Sequence, residues 1–322
     1  MQVLGVVGTM VWDTIWRPAD SCSPIEEWGG ISYALAAADI GVPAGQKVRP
    51  FIKLGRDVAE RGRRFLEEIS AIESHETVSV VDALNPRVEL RYRGGERISE
   101  RLQGGVPPWT WPELAARLEG CDALYVNFIT GAEMELEAAK QLRRSFQGPI
   151  YADLHSLLLG TGLRGERHRR PLERWSEWLA CYDAVQVNED ELRMLSSHWG
   201  DPWAFAAAVV GHGTRLLLVT RGSGGAAYVA THDALPLHKR PAGVLECRSR
   251  VRTGRQSVEA VKKGDSTGCG DVWGITMFRA LAAGWGLEPA MRLANRTAGR
   301  NLAHRGASGL NRFLRGEIER VC

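Results

Sequence analysis

The sequence predicts an α/β protein built on one doubly wound, mostly parallel sheet flanked by helices, with a small β lid. Short apolar runs ending in polar residues alternate with segments of helical spacing along most of the 322 residues, and that order places helices on both faces of a parallel sheet. The 44% hydrophobic and 25% charged content is that of an ordinary globular chain able to bury a sizeable core. One segment, residues 85–105, breaks the alternation with short strand-like pieces around Gly94-Gly95, the pattern of a hairpin.

The elements follow in order. VLGVV (3–7) reads as the first buried strand, and ISYALAAADIG (31–41) and AERGRRFLEEIS (59–70) as helices. ALYVNF (123–128), PIYADL (149–154), AVQVN (184–188) and RLLLVT (215–220) are further strands, apolar throughout as parallel strands buried on both faces must be. Between and after them, EMELEAAKQLRRSF (133–146), EDELRMLSSHW (189–199) and PWAFAAAVVGHG (202–213) are helical. Ligands of such sheets bind beyond the carboxyl ends of the strands. Asp13, Asn127, Asp153, Asn188 and Thr220 fall there, close behind their strands. Residues 1–322 read as a single domain, with lid segments at about 14–28 and 85–105 within it.

Composition narrows the function. The 41 basic and 38 acidic residues leave a net charge of +3, too balanced for a nucleic-acid or membrane footprint, so the expected partner is a small molecule. The six cysteines (Cys22, Cys121, Cys181, Cys247, Cys269 and Cys322) show no metal-ligand spacing and no disulfide framework, which fits reduced cytoplasm. The opening Met1-Gln2-Val3 lacks a basic signal region and no apolar run reaches membrane-spanning length, so a cytoplasmic protein is expected.

The segment with most chemistry is KKGDSTGCGDVWGITMF (262–278). Gly268 and Gly270 permit turn conformations closed to other residues, and the amides after them open a helix with no intrahelical partner, which makes an anion hole. A carboxylate placed there, Asp271, can orient a hydroxyl and take its proton in a loose phosphoryl-transfer transition state. The plainer alternative is that Asp265 and Asp271 are a cap and a first-turn partner of the helix dipole.

The string DSTGCGD resembles the D-T-x-G-A-G-D signature of the PfkB, or ribokinase-like, carbohydrate kinase family, and six further segments resemble the family in order. These are VVGTMVWDTI (6–15), WGGISYALAAADIG (28–41) with its glycine pair, KLGRDVAERGRRFLEEI (53–69), NEDE (188–191), and VTRGSGGAAYV (219–229) followed by ANRTAGRNLAHRGASG (294–309). The resemblance implies an ATP-dependent, magnesium-assisted kinase acting on a sugar or sugar-like acceptor, with Asp271 as base and the amides of Gly268, Cys269 and Gly270 as the anion hole. It implies substrate binding by Asp13, Gly29, Gly30 and Asn127, and nucleotide binding by Asn188, Thr220, Gly222, Gly225, Asp265 and Asn295. Asn188 and Glu191, three residues apart, would hold a magnesium-bound water, a spacing shared with an N-cap and its capping-box glutamate. A homodimer through the lid is a further expectation. A nucleoside kinase of the same fold and a non-catalytic sugar or nucleotide sensor are the alternatives.

The sequence also departs from the family. Cys269 stands in place of the usual alanine, keeping the amide and adding an oxidisable thiol. Trp273, Ile275 and Thr276 are bulkier than expected after the aspartate, and Tyr33 and Ala34 replace an asparagine that many sugar kinases carry. GSGGAA (222–227) formally fits a dinucleotide fingerprint, but it lies late in the chain and runs into strand-like AAYVA rather than a helix. No P-loop is present. The arginine-rich run LRGERHRRPLERW (163–175) reads as a solvated loop and helix start, and Trp109, Trp111, Trp175 and Trp178 as packing. Arg87, Arg91, Arg93, Arg97 and Arg101 in the hairpin either keep an edge strand soluble or reach a charged group on the acceptor.

Overall fold

The computed structural model describes residues 1–17, 23–40, 45–73, 75–93, 96–210, 213–237, 250–259 and 264–319. The Gly94-Gly95 turn, the Arg97 side chain, Cys22, Cys247 and Cys322 lie outside the described residues. In chain order the elements are β1 (Gln2–Val7), β2 (Met10–Trp16), β3 (Ile25–Gly30), α1 (Ile31–Ala37), β4 (Gln46–Gly55), α2 (Ala59–Glu67), β5 (Val78–Val81), β6 (Arg87–Arg93), β7 (Glu96–Gln103), α3 (Trp111–Ala115), β8 (Ala123–Asn127), α4 (Leu136–Ser145) and β9 (Ile150–Asp153). They continue with β10 (Leu159–Thr161), β11 (Arg167–Arg169), α5 (Trp175–Leu179), β12 (Ala184–Asn188), α6 (Glu189–Leu195), α7 (Pro202–Val209), β13 (Leu216–Thr220), β14 (Ala226–Thr231), β15 (Val251–Gln256), α8 (Cys269–Ala282), α9 (Leu287–Asn301) and α10 (Leu310–Arg315).

The large sheet has the order β15-β14-β13-β12-β9-β8-β1-β4-β5. Every pairing from β5 to β13 is parallel, and β14 and β15 add antiparallel at one edge. Side chains alternate between two cores, as the strand pleat requires. Leu4, Val6, Tyr125, Leu216 and Leu218 join α1, α8 and α9 on one face. Val7, Leu124, Val126, Leu217 and Val219 join α4, α6 and α7 on the other. Helix α8 is buried from Val272 to Ala282 on every side, so each large apolar residue there contributes about 1.5–3 kcal/mol. Its one buried cation, Arg279, donates to the carbonyls of Ala38 and Ile40, and burial pushes its pKa down to about 10.

The lid is a second sheet of order β3-β2-β6-β7. The expected hairpin is present as antiparallel β6 and β7, and β2 pairs in parallel with β6. Trp12 meets Trp28 edge-on at 5.1 Å and binds β2 to β3. One expectation needs correction: Asp13 does not sit just behind β1 but within β2, opposite Glu27 of β3. Gly8 and Thr9 separate the two strands, so the single apolar stretch 3–15 serves two sheets.

Other differences have local causes. The helix expected from residue 133 starts at Leu136, because the Glu133 carboxylate accepts from the amides of Thr130 and Gly131 and closes a turn instead. Strand β4 was not legible: Lys47, Arg49, Pro50 and Lys53 interrupt its apolar pattern, yet Lys53 is buried against Glu113 at 2.9 Å and Thr77 donates to the Pro50 carbonyl at 2.6 Å. The late glycine-rich run forms a tight turn between β13 and β14, with no helix after it. The arginine-rich run is held by ion pairs, Arg174 to Glu137 and Glu177 and Arg169 to Asp190.

Candidate active site

The carboxyl ends of the central strands, the lid sheet and the start of α8 enclose a cavity of about 920 Å³. Its centre is the turn before α8. Gly268 caps the helix at φ 74°, and a Cβ there would meet the Tyr33 ring at 2.2 Å, so both conformation and space require glycine. Among the described residues the amides of Gly268 and Gly270 have no partner, whereas the Cys269 amide donates to the Ser266 carbonyl at 3.1 Å. The expected three-amide hole is therefore two open amides beside one that shapes the turn.

Asp271 lies in the first turn of α8 and accepts a 2.7 Å hydrogen bond from Asn127 Nδ2 at the end of β8. Asn127 is fully buried and does not line the cavity, so its place is behind the carboxylate rather than on a substrate. Gln186 on β12 donates to Asp153 at 2.8 Å and to the Gly270 carbonyl at 3.2 Å, tying β12 and β9 to the helix start. Burial pushes the Asp271 carboxyl up to about 6, against the opposing pull of His155 and the Asn127 hydrogen bond. Burial and the nearby Glu191 charge raise Asp153 as well.

His155 was not singled out from the sequence, where a lone histidine carries no signal. It has a φ of 25°, lines the cavity, and places Nδ1 3.4 Å from Glu191 Oε1. Burial pulls its pKa down, but the Glu191 hydrogen bond and the charges of Glu191, Asp153 and Asp271 outweigh this and raise it to about 9. Asn188 and Glu191 form the capping box that their spacing allowed: Asn188 accepts from the Glu191 amide at 2.9 Å and Glu191 from the Asn188 amide at 2.8 Å. Both also line the cavity. Cys269 lines it too, yet burial raises its thiol to about 11, away from the reactive thiolate.

One end of the cavity lies against the turn after β13 and the helix α9. Thr220, Gly222 and Gly225 line it as expected. Asn295 lines it as well, but its side chain is committed, accepting from Trp273 Nε1 at 2.8 Å and donating to the Gln256 carbonyl at 3.1 Å. Arg292, Arg296 and Arg300 line this end. They are four residues apart and so share one face of α9, a spacing present in the sequence but not read there.

The other end lies under the lid. Asp13 and Gly30 line it; Gly29 does not, and a Cβ on Gly29 would meet Asp13 Oδ2 at 1.9 Å, so this glycine makes room for the carboxylate. On β6, Val88, Leu90 and Tyr92 face the cavity, while Arg87 pairs with Asp57 at 3.1 Å and Arg91 with Glu89 at 2.6 Å. Asp265 is not in the cavity wall. Its carboxylate accepts from Thr267 Oγ1 at 2.7 Å and pairs with Arg17 at 2.7 Å, and Arg17 in turn stacks 4.6 Å from the Tyr92 ring. Tyr92 shares a 3.0 Å hydrogen bond with Thr267. The lid is thereby latched to the turn before α8.

An ionised carboxylate beside open helix-start amides can take a hydroxyl proton while those amides hold anionic oxygens. The pfkB family carbohydrate kinase model matches residues 166–312. No curated protein matches the sequence. Among solved structures, the chain is similar to a ribokinase from Thermotoga maritima (TM-score 0.70, 18% identity, covering 98% of this chain and 99% of that one). It is similar to a Burkholderia thailandensis nucleoside kinase in complex with inosine (TM-score 0.70, 18% identity, 96% and 93%). It is also similar to a pyrophosphate-dependent kinase in the ribokinase family complexed with a pyrophosphate analog and myo-inositol (TM-score 0.71, 17% identity, 99% and 100%). By the family match over 166–312 and a fold shared along nearly its whole length, this chain is similar to the pfkB family carbohydrate kinases and has the ribokinase-like fold.

Proposed function

We propose that the chain is a single-domain, cytoplasmic kinase that transfers the γ-phosphoryl group of ATP, with magnesium, to a hydroxyl of a sugar or sugar-like small molecule, a nucleoside being the alternative acceptor. The observation that carries this is the Asp271 carboxylate, held by Asn127 at 2.7 Å in the first turn of α8 beside the open amides of Gly268 and Gly270. With its pKa raised to about 6, Asp271 is ionised at neutral pH yet basic enough to receive a proton that leaves late. Asp13 holds the acceptor at the lid end, the glycine amides hold the transferring oxygens, and the latched lid excludes water that would otherwise hydrolyse the donor.

The residues present fit magnesium in one way. Among the described residues no group of three or more ligating side chains could hold a metal, so an ion would rest on donor phosphates and on Glu191 through water. Burial and, after it, the Glu191 charge raise Asp153, and a divalent cation nearby would relieve the second of these. Bound there, magnesium would offset charge on the donor oxygens.

One observation favours a second donor. Arg292, Arg296 and Arg300 line the end of the cavity where a nucleotide base would lie, and guanidinium groups match phosphate better than a base. Inorganic pyrophosphate is therefore the alternative to ATP. Among the described residues no helix is long and apolar enough to cross a membrane. Trp16 and Ile98 are exposed on the lid, in keeping with a dimer through it.

The test supplies ATP or pyrophosphate with a panel of sugars and nucleosides and follows phosphorylated product. Asp271→Asn should bind donor and acceptor as the parent does while transfer falls at least about a hundredfold. Near-parental turnover in that variant removes Asp271 from the mechanism. Binding without transfer by the parent chain, from either donor, leaves a sensor.

A further inference from the structure

We infer that Arg17 is a positioning residue for the donor phosphates: from the lid, and through Asp265, it fixes the turn that carries the open amides of Gly268 and Gly270. The inference rests on the kinase reading proposed above. Arg17 directly follows β2 of the lid sheet and does not line the cavity, so any effect on a bound donor must pass through another side chain.

That side chain is Asp265, whose two carboxylate oxygens have different partners. Oδ1 accepts from the Thr267 amide at 3.0 Å and from Thr267 Oγ1 at 2.7 Å, which closes residues 265–267 into a side-chain turn. Oδ2 is held by Arg17 Nη2 at 2.7 Å. The backbone then passes straight into Gly268, at φ 74°, and the start of α8. The direction of the open amides therefore follows the Asp265 carboxylate, and the carboxylate follows the guanidinium. On the other side of the turn, Asn301 of α9 donates to the Thr267 carbonyl at 2.9 Å, and the Leu302 carbonyl accepts from the Asp265 amide at 3.0 Å. The body of the protein thus holds one side of this turn and the lid holds the other.

Burial sets Arg17 apart from the hairpin arginines. The side chains of Arg17 and Asp265 are 14% and 6% exposed, and a carboxylate so enclosed is strongly unfavourable once its cation is removed. Arg87 and Arg91, by contrast, are half exposed in their pairs with Asp57 and Glu89, and pairs of that kind contribute little. Arg17 is itself fixed, lying 4.6 Å from the centre of the Tyr92 ring while the Tyr92 hydroxyl shares a 3.0 Å hydrogen bond with Thr267 Oγ1. A planar guanidinium serves both the ion pair and the ring; a lysine ammonium would keep the charge and lose the stacked fork.

Hydrogen exchange of the parent, Arg17→Gln and Arg17→Lys, read by mass spectrometry without any ligand, tests the structural half of this. In Arg17→Gln the peptide spanning 264–273 should exchange faster, while strands β8 and β12 and residues 276–282 of α8 exchange as in the parent. Calorimetric titration with ATP and with inorganic pyrophosphate tests the functional half. Arg17→Gln should bind the donor that the parent binds at least about fivefold more weakly. Arg17→Lys keeps the cation beside Asp265, so it covers the case in which Arg17→Gln does not fold, and it should show both changes at smaller size. Parental exchange of 264–273, with faster exchange only in the lid peptides 10–17 and 87–103, overturns the inference. Faster exchange spread evenly over both cores also overturns it, because Arg17 would then be a general stabiliser. Parental donor affinity in the variants sinks the inference and leaves the kinase reading intact, whereas failure of the parent to bind either donor sinks the kinase reading and the inference with it.

Discussion

Asp271 is subject to two opposing requirements. Its proposed role as base needs the carboxylate ionised, whereas burial favours the protonated form and pushes its pKa from 3.8 to about 6. The sign for the rate follows directly: transfer should fall about tenfold per pH unit below pH 6, where the base becomes protonated. The sign for stability is opposite. The folded state binds this proton more tightly than the unfolded chain, so the group favours folding at pH 4 and below and that contribution is lost as pH rises through about 6. Asp271→Asn should therefore melt a few degrees higher than the parent at pH 8, with the gain vanishing toward pH 4. Melting curves at the two pH values check this, and a variant less stable at pH 8 would show that the carboxylate is better compensated than its surroundings indicate.

At the scale of elements, two short contacts decide how the site is assembled. The start of α6 uses Asn188 and Glu191 both as a capping box and as cavity wall. Because glutamine also serves in a capping box, Glu191→Gln should cost no more than about 1 kcal/mol of stability. If Glu191 positions magnesium, the same variant should raise the metal concentration at half-maximal rate. Unchanged metal dependence confines Glu191 to the cap. The second contact joins the lid to the turn before α8 through Tyr92 and Thr267 at 3.0 Å. Tyr92→Phe keeps the ring and its stacking with Arg17 but removes that hydrogen bond, so kcat should fall about two- to tenfold. Donor hydrolysis without acceptor should rise relative to transfer, since a looser lid admits water. A variant with the parental ratio of hydrolysis to transfer would reduce the contact to packing.

For the whole molecule, the sheet order sets the polarity of the cavity. Helix α9 brings Arg292, Arg296 and Arg300 to one end, where Glu259 pairs with Arg296, the lid brings carboxylates and aliphatic side chains to the other, and Asp271 lies between them. On the proposed reading the donor takes the α9 end and the acceptor the lid end. The two cores on either face of the large sheet fix the strand ends that form the centre of the cavity.

The sequence by itself determined the alternating fold, the lid hairpin, and the turn of Gly268 to Asp271, because each rests on local chemistry. Pleat period, helix spacing and glycine conformation are properties of neighbouring residues, and they survive in the string of letters. Tertiary structure alone decided the rest. It moved Asp13 from the end of β1 onto the lid sheet, put Asn127 behind Asp271 across 144 positions of sequence, and turned Asp265 from the cavity toward Arg17. It brought His155 among three carboxylates and aimed the β6 arginines away from the cavity. These outcomes depend on contacts between residues far apart in the chain, whose partners no local pattern names.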